Sequence, residues 1–125
     1  MNTTGIRHVT VVGAGTLGAG IAGLFARAGY EVRLTDLNDT LLARGMAMIR
    51  SAQDAMRRAR MLSARDAGTA LKRIRLLTSL EAACDGTDLV VEAVTENIGV
   101  KTAMFRRFDA ACQRHAILAS NTSGL

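Results

Sequence analysis

The sequence predicts an α/β protein with a doubly wound parallel sheet, formed by one domain over residues 1–125. Two observations predict this class. Short runs of β-branched and aliphatic residues alternate with longer segments of helical periodicity, and the first run leads directly into a glycine turn. Alternating strands and helices form parallel sheets covered on both faces, because every crossover lays a helix on the sheet. The first strand is expected near the centre of that sheet.

The alternation gives five strands and the helices that join them. Strands are predicted over residues 9–12, 31–35, 74–78, 88–94 and 116–120. Helices are predicted over 16–28, 39–61, 79–84 and 99–113, and Ser63 is expected to cap a further short helix, with Asp66 three residues on. In the first helix, the apolar residues expected to face the sheet are Leu17, Ile21, Leu24, Phe25 and Ala28. In the second they are Leu42, Met46, Ile49 and Met56.

Composition and charge exclude several classes of protein. The net charge of +5 is spread along the chain, and with few aromatic residues and no recognised motif we expect no nucleic-acid partner. Neither a membrane-spanning run nor a signal peptide is present, so we expect no membrane association. Cys84 and Cys112 form neither a disulfide framework nor a zinc motif, so we expect no metal site and predict a cytoplasmic location.

The turn after the first predicted strand reads Gly13-Ala14-Gly15-Thr16-Leu17-Gly18, a GxGxxG motif. Such a motif is weak by itself, but here it joins a predicted strand to a predicted helix, as dinucleotide binding requires. The first glycine permits the tight turn, the second lets a pyrophosphate approach the backbone, and the third lets the helix pack against the strand. The helix N-terminus then offers N–H groups and a positive dipole end to the phosphates.

Asp36 follows the second predicted strand, about 20 residues beyond the motif. A carboxylate there accepts hydrogen bonds from the ribose hydroxyls of the adenosine half and repels a 2′-phosphate, and neither Leu37 nor Asn38 is an arginine that would hold one. NAD is therefore predicted in preference to NADP. Two alternatives stay open: a structural glycine turn with Asp36 as a helix N-cap, and FAD, which shares the fingerprint.

Polar residues also follow the last two predicted strands, where ligands of open parallel sheets bind. One stretch covers residues 92–97 with Lys101 beyond it, and the other covers residues 121–123. These side chains are candidates to line the nicotinamide pocket. Each has a structural alternative, because Glu96 could cap the next helix, Lys101 could lie on its exposed face, and residues 121–123 could form an ordinary polar turn.

Four segments in order carry a family resemblance. They are GAGTLGAGIA, Asp36 after the second strand, VVEAVTEN with Lys101 five residues beyond Glu96, and ILASNTSGL. Together they resemble the L-3-hydroxyacyl-CoA dehydrogenases, which include the 3-hydroxybutyryl-CoA dehydrogenases, and the helical insert between strands two and three is similar too. The resemblance runs from the first strand to the last residue. It implies a Rossmann-type sheet that is incomplete at its C-terminal end, and an oxidoreductase of fatty acid metabolism and β-oxidation.

The resemblance implies a role for each matched position. The turn from Gly13 to Gly18 holds the pyrophosphate of NAD and Asp36 the adenine ribose. Glu96 and Lys101 lie along the nicotinamide end. Ser123, flanked by Asn121, contacts both the nicotinamide and the 3-oxygen of the substrate. Family members often carry a second serine where this chain has Gly124, a departure that removes one hydrogen bond and leaves Ser123 in place.

The same resemblance bears on the substrate. The helical insert contacts coenzyme A in such enzymes, which makes the cluster of Arg57, Arg58 and Arg60 a candidate for its phosphates, against the alternative of a solvated helix face. The family reaction moves a hydride between C3 of a 3-hydroxyacyl-CoA and NAD, which yields the 3-oxoacyl-CoA, while a histidine takes the hydroxyl proton and a glutamate orients it.

That histidine and glutamate belong, in the family, beyond Leu125, as do the last strands and a helical substrate and dimerisation domain. The chain is therefore expected to be a fragment that is inactive alone, and the full-length protein a homodimer. His8 and His115 each precede a strand, so both are expected at the amino edge of the sheet, away from the cofactor, and neither is expected to be the base.

Three other interpretations stay open. One is a dehydrogenase of the same superfamily acting on a non-CoA hydroxy acid, although Asn121-Thr122-Ser123 favours the acyl-CoA branch. Another is a non-catalytic nucleotide-binding module. The third is the N-terminal piece of a multifunctional fatty-acid oxidation protein, against which the closeness of Met1 to the first strand argues weakly.

Overall fold

The computed structural model describes residues 5–93 and 117–120. Within them the strands are β1 (His8–Val12), β2 (Glu31–Thr35), β3 (Ile74–Leu77), β4 (Leu89–Glu92) and β5 (Ile117–Ser120). The helices are α1 (Thr16–Arg27), α2 (Asp39–Arg58), α3 (Ala64–Lys72) and α4 (Leu80–Cys84). The helix predicted over residues 99–113 lies outside the described residues.

The five described strands form one parallel sheet in the order β3-β2-β1-β4-β5. This order confirms the doubly wound class and the central place of β1, since the chain crosses back over β1 between β3 and β4. The register pairs Val12 with both Thr35 and Glu92, and Glu92 with Ser120. Four strands therefore end level with one another, and the segments that follow them begin at one edge of the sheet.

The core between the sheet and helices α1, α2 and α3 is aliphatic, as the scarcity of aromatic residues requires. Val32 and Leu34 point inward from β2, as the alternation of that strand predicts. Full burial of one such side chain stabilises the fold by about 1.5 to 3 kcal/mol. From α2, the core takes Leu42, Met46 and Ile49, as predicted, whereas Met56 is only half-buried.

The stripe predicted for α1 is wrong at Leu17, Leu24 and Ala28, whereas Ile21 and Phe25 are partly buried and pack against the core. Leu17 and Leu24 are 51% and 58% exposed, and the buried residues of the helix are Gly18, Ala19, Ala22, Gly23 and Ala26. The reason is the distance at which the helix packs. A Cβ on Gly18 would lie 1.6 Å from the carbonyl oxygen of Gly13, so this face of α1 sits directly against backbone and has room only for small residues.

Side-chain caps fix the ends of the other helices. The Ser63 hydroxyl accepts a hydrogen bond of 3.0 Å from the N–H of Asp66, which confirms the predicted cap of α3. Such a cap stabilises a helix by about 1 kcal/mol. The second helix is shorter than the predicted range of residues 39–61, because α2 ends at Arg58. Arg60, just beyond it, adopts a left-handed backbone with φ of 59°. Gln53 is buried and donates to the Ala67 carbonyl at 3.1 Å, which ties α2 to α3.

The described residues contain neither a membrane-spanning helix nor a metal-binding cluster. None of their helices is both long and apolar enough to cross a membrane. No group of three or more His, Cys, Asp or Glu side chains among them could hold a metal ion.

Candidate cofactor-binding site

The glycine turn lies at the centre of the edge where the strands end. Gly13 has φ of 107°, a left-handed conformation that strains any residue with a side chain, so the first glycine of the motif is required by the backbone. Its N–H donates to the Thr35 carbonyl at 2.9 Å, which fastens the turn to the end of β2. The bend after β1 is therefore held by the neighbouring strand as well as by its own geometry.

The third glycine of the motif serves packing. A Cβ on Gly18 would overlap the Gly13 carbonyl and would also meet the Cβ of Ala93 at 3.6 Å. Ala93 follows β4, and its N–H donates to the Val12 carbonyl at 2.8 Å. The first turn of α1 is thus pressed between the ends of β1 and β4.

Gly15 differs from the other two glycines. Its backbone is extended, with φ of −72°, and a Cβ built on it would meet no protein atom within 4 Å. Neither conformation nor packing within the described protein requires glycine at this position. The space in front of Gly15 is where the motif places the pyrophosphate, so the site has the opening that a dinucleotide needs.

Gly15 is also the N-cap of α1 and, as a glycine, provides no side-chain cap for this helix end. The N–H groups in the first turn of a helix have no partner within the helix, and the first turn of α1 contains no acidic residue. The positive end of the helix dipole therefore meets the opening in front of Gly15. Thr16 and Leu17, both exposed, stand in this turn, and the Thr16 hydroxyl lies 3.8 Å from the sulfur of Met48.

Asp36 lies beside the turn, and its carboxylate contacts it directly. Oδ2 accepts a hydrogen bond of 2.7 Å from the N–H of Ala14, and Oδ1 accepts one of 2.7 Å from the N–H of Leu37. A carboxylate has about four acceptor positions. The described residues use two of them, so within this part of the chain the half-buried group keeps the capacity to accept from both hydroxyls of a ribose.

The alternative in which Asp36 caps the next helix is wrong. The N-cap of α2 is Asn38, whose side-chain oxygen accepts from the N–H of Leu41 at 2.9 Å. The contact between Asp36 and Ala14 is a feature that sequence reasoning missed, because it joins residues 22 positions apart and depends on how closely β1 and β2 end.

The remaining predicted site residues lie outside the described residues. They are Glu96, Lys101, Asn121 and Ser123, and their assignments stay predictions. Glu92, at the end of β4, belongs to the same predicted polar stretch as Glu96 and is fully buried. Strands β4 and β5 end at Glu92 and Ser120, level with the end of β1, at the edge that carries the glycine turn.

His8 lies at the other edge of the sheet, as expected. It is the first residue of β1, and its Nδ1 is 3.7 Å from Oδ2 of Asp88, the residue before β4. The length of β1 separates it from Gly13, so it does not belong to the site at the carboxyl edge. His115 lies outside the described residues.

A glycine turn with a carboxylate beside it, at the carboxyl edge of a doubly wound sheet, defines a dinucleotide-binding domain. The family model for the NAD-binding domain of 3-hydroxyacyl-CoA dehydrogenase matches residues 8–125. The chain therefore belongs to that family, whose cofactor is NAD, and the resemblance carried by the four segments is confirmed.

Individual relatives agree with this assignment. The chain is 38% identical to the mitochondrial hydroxyacyl-coenzyme A dehydrogenase of Homo sapiens, over 96% of this chain and 40% of that protein. A crystal structure of (S)-3-hydroxybutyryl-CoA dehydrogenase from Ralstonia eutropha superposes with a TM-score of 0.91 at 38% identity, covering 96% of this chain and 42% of that one. The 5-formyl-3-hydroxy-2-methylpyridine 4-carboxylate 5-dehydrogenase of Mesorhizobium japonicum is 32% identical over 96% of this chain and 38% of its own length. The chain thus spans about 40% of the length of such relatives.

Proposed function

We propose that this chain is the NAD-binding part of an oxidoreductase that interconverts L-3-hydroxyacyl-CoA and 3-oxoacyl-CoA. The observation that carries the proposal is the opening at Gly15, which no atom of the described residues fills, next to a carboxylate that accepts two N–H groups from the described residues and has about four acceptor positions. That pair suits a pyrophosphate followed by a ribose. Membership in the 3-hydroxyacyl-CoA dehydrogenase family supports the reaction and substrate class.

The described residues bind and orient the cofactor in this proposal. The N–H groups at the start of α1 hold the pyrophosphate, and Asp36 accepts from the adenine ribose. NAD, when bound, supplies the acceptor for the hydride that leaves C3 of the hydroxyacyl group. The family resemblance assigns the nicotinamide end to Glu96, Lys101 and Asn121, and contact with both the nicotinamide and the 3-oxygen of the substrate to Ser123.

Asp36→Ala tests the cofactor assignment. We expect the wild-type chain to bind NAD and to prefer it to NADP, and the variant to bind NAD about tenfold to a hundredfold more weakly and to lose that preference. A hydrogen bond to a charged group contributes about 1.5 to 3 kcal/mol, and about 1.4 kcal/mol is tenfold in affinity. Calorimetric titration of both dinucleotides into both proteins measures this, with circular dichroism as the check on folding. Equal affinities of the wild type for NAD and NADP would contradict the assignment.

An assay of acetoacetyl-CoA reduction by NADH tests the reaction. We expect no turnover from residues 1–125 alone, because the histidine and glutamate that the family resemblance implies are not among them. A protein of the length of the curated relatives that carries this sequence is expected to be active and to lose most of its rate on Ser123→Ala. A substantial rate from the 125-residue chain would contradict the assignment of the catalytic base to a histidine that is not among these residues.

A second candidate is a dehydrogenase that acts on a hydroxy acid without coenzyme A. The observation in its favour is the Mesorhizobium japonicum relative, whose name gives a substituted pyridine carboxylate as substrate. Inhibition by free coenzyme A separates the two, since only an acyl-CoA enzyme has a site for it. Arg57, Arg58 and Arg60 are then the candidates for its phosphates, and Arg57 and Arg58 are exposed in the last turn of α2.

The cellular context belongs to the same proposal. We place the protein in fatty acid β-oxidation and in the cytoplasm, with a homodimer as the state of the full-length protein and with neither nucleic acid nor a membrane as partner. The cytoplasmic location rests on the sequence, in which Cys84 and Cys112 form no disulfide framework.

A further inference from the structure

Gly45 of α2 makes a second close contact with the glycine turn, at Ala14. Gly45 is buried, and a Cβ built on it would lie 2.9 Å from the carbonyl oxygen of Ala14 and 3.0 Å from its Cβ, with Leu34 Cδ2 at 3.5 Å. The first two distances are shorter than ordinary van der Waals contacts, and one of them is to backbone. Helix α2 therefore touches the residue between the first two glycines of the motif.

Glycine is an unfavourable residue for the middle of a helix, where it costs about 1 kcal/mol relative to alanine. Gly45 lies in a regular helix of 20 residues, and it is not among the glycines with positive φ. Its backbone conformation thus does not call for glycine. The close approach to Ala14 is the feature of the structure that does.

Hydrogen bonds hold Ala14 and the residue before it as well. Its N–H donates to Oδ2 of Asp36 at 2.7 Å, and the preceding N–H, that of Gly13, donates to the Thr35 carbonyl at 2.9 Å. A displacement of Ala14 therefore changes its hydrogen bond with Asp36 and the bend that leads into α1. The pyrophosphate site and the ribose site meet at this one residue, and α2 packs against it.

We propose that Gly45 is a positioning residue for NAD: without a side chain, it lets α2 seat against Ala14 and hold the glycine turn in the shape that receives the pyrophosphate. The proposal rests on the proposed function of the turn. Alanine at position 45 requires a shift of a few tenths of an ångström, which falls on Ala14 if α2 keeps its place. A misplacement on the order of 1 Å costs about a hundredfold in the rate of a catalysed reaction, and by analogy we expect this smaller shift to cost about fivefold in NAD affinity.

Gly23 offers the matched control. It is also a buried helical glycine, but a Cβ there would meet the Nη1 of Arg27 at 3.1 Å and Ile49 Cγ2 at 3.7 Å. The first is the end of a flexible side chain that moves away, and the second is an ordinary contact. Gly23→Ala thus adds the same methyl group to the interface of α1 and α2 without touching the turn.

The experiment titrates NADH into the wild-type chain, Gly45→Ala and Gly23→Ala, by fluorescence, at a temperature well below every unfolding midpoint. Thermal unfolding without ligand is recorded for each. We expect Gly45→Ala to bind NADH about fivefold more weakly and Gly23→Ala to bind within twofold of the wild type. If the role of Gly45 were purely structural, Gly45→Ala would lower the unfolding midpoint and leave the NADH affinity of the folded protein unchanged.

Three results would overturn the proposal. The first is an affinity of Gly45→Ala within twofold of the wild type, which means that α2 moves outward and the turn does not. The second is a Gly45→Ala chain that stays unfolded even in an osmolyte that favours the compact state, since the role would then be structural. The third is a folded wild type that binds no NADH, and this result alone also contradicts the proposed function.

Discussion

The two edges of the sheet use polar groups in opposite ways. At the amino edge, Oδ2 of Asp88 accepts from the N–H groups of both Arg7 and His8, at 2.9 and 3.0 Å. At the carboxyl edge, Asp36 also accepts two N–H groups, one on each oxygen of its carboxylate. Both carboxylates hold backbone, and Asp36 does so beside the turn that leads into α1, whose N-cap is a glycine.

The amino half of the sheet contains further polar side chains, and they too bind protein groups. The buried hydroxyl of Thr10 donates to the Ala83 carbonyl at 2.5 Å and lies 2.8 Å from Thr87 Oγ1. The guanidinium of Arg33 donates to the same Ala83 carbonyl at 3.1 Å and to that of Asp85. These contacts join β1 and β2 to the segment after α4. Polar residues in a sheet therefore indicate a ligand site only where they keep hydrogen-bonding capacity that other protein groups do not use.

The largest effect on either edge is expected from Gly18→Ala. The new Cβ would overlap the Gly13 carbonyl, a backbone atom that the Gly13–Thr35 hydrogen bond and α1 itself hold in place. We expect a loss of at least about 3 kcal/mol in the free energy of unfolding, at the upper end of overpacking costs. Urea unfolding measures it, with Gly20→Ala, an exposed position on α1 where a Cβ meets no atom within 4 Å, as control. Equal midpoints for the two variants would contradict the contact.

Gly15→Ala separates binding from stability at the carboxyl edge. Its Cβ meets no protein atom, so the free energy of unfolding should fall by less than about 1 kcal/mol, the cost of alanine at an N-cap. The affinity for NAD should fall by about tenfold or more, because the methyl group occupies the approach of the pyrophosphate. Calorimetry and urea unfolding on the same protein give both numbers. An unchanged affinity would place the pyrophosphate elsewhere.

Thr10→Val is expected to do the opposite: it should lower the stability of the fold and leave the affinity for NAD unchanged. Valine keeps the shape of the side chain and removes the hydroxyl that Ala83 and Thr87 contact. We expect a loss of about 1 to 2 kcal/mol in the free energy of unfolding, the cost of buried hydrogen-bonding groups left with fewer partners. The affinity for NAD at a temperature where the variant is folded should not change. A lower NAD affinity of Thr10→Val with an unchanged free energy of unfolding would contradict the proposed difference between the two edges.

The pattern of the sequence predicted the site better than it predicted the packing around it. The strands, the glycine turn, the position of Asp36 and the cap at Ser63 follow from local spacing, and each is a property of a few neighbouring residues. The buried face of α1 did not follow. Two of its large residues, Leu17 and Leu24, are exposed, because hydrophobic periodicity assumes that large side chains fill a gap and the helix packs too closely at Gly18 to leave one.

The class of fold, the dinucleotide motif and NAD as the cofactor followed from the sequence alone, since these depend on residue types at fixed spacings. Only the tertiary structure decided that Asp36 bonds Ala14 and is not a helix cap, and that Gly45 lies against the same residue. The physical reason is distance. Residues 14, 36 and 45 belong to the end of one strand, the end of another and the middle of a helix. Their contacts exist because those three elements pack within van der Waals reach, which local spacing along the chain does not specify.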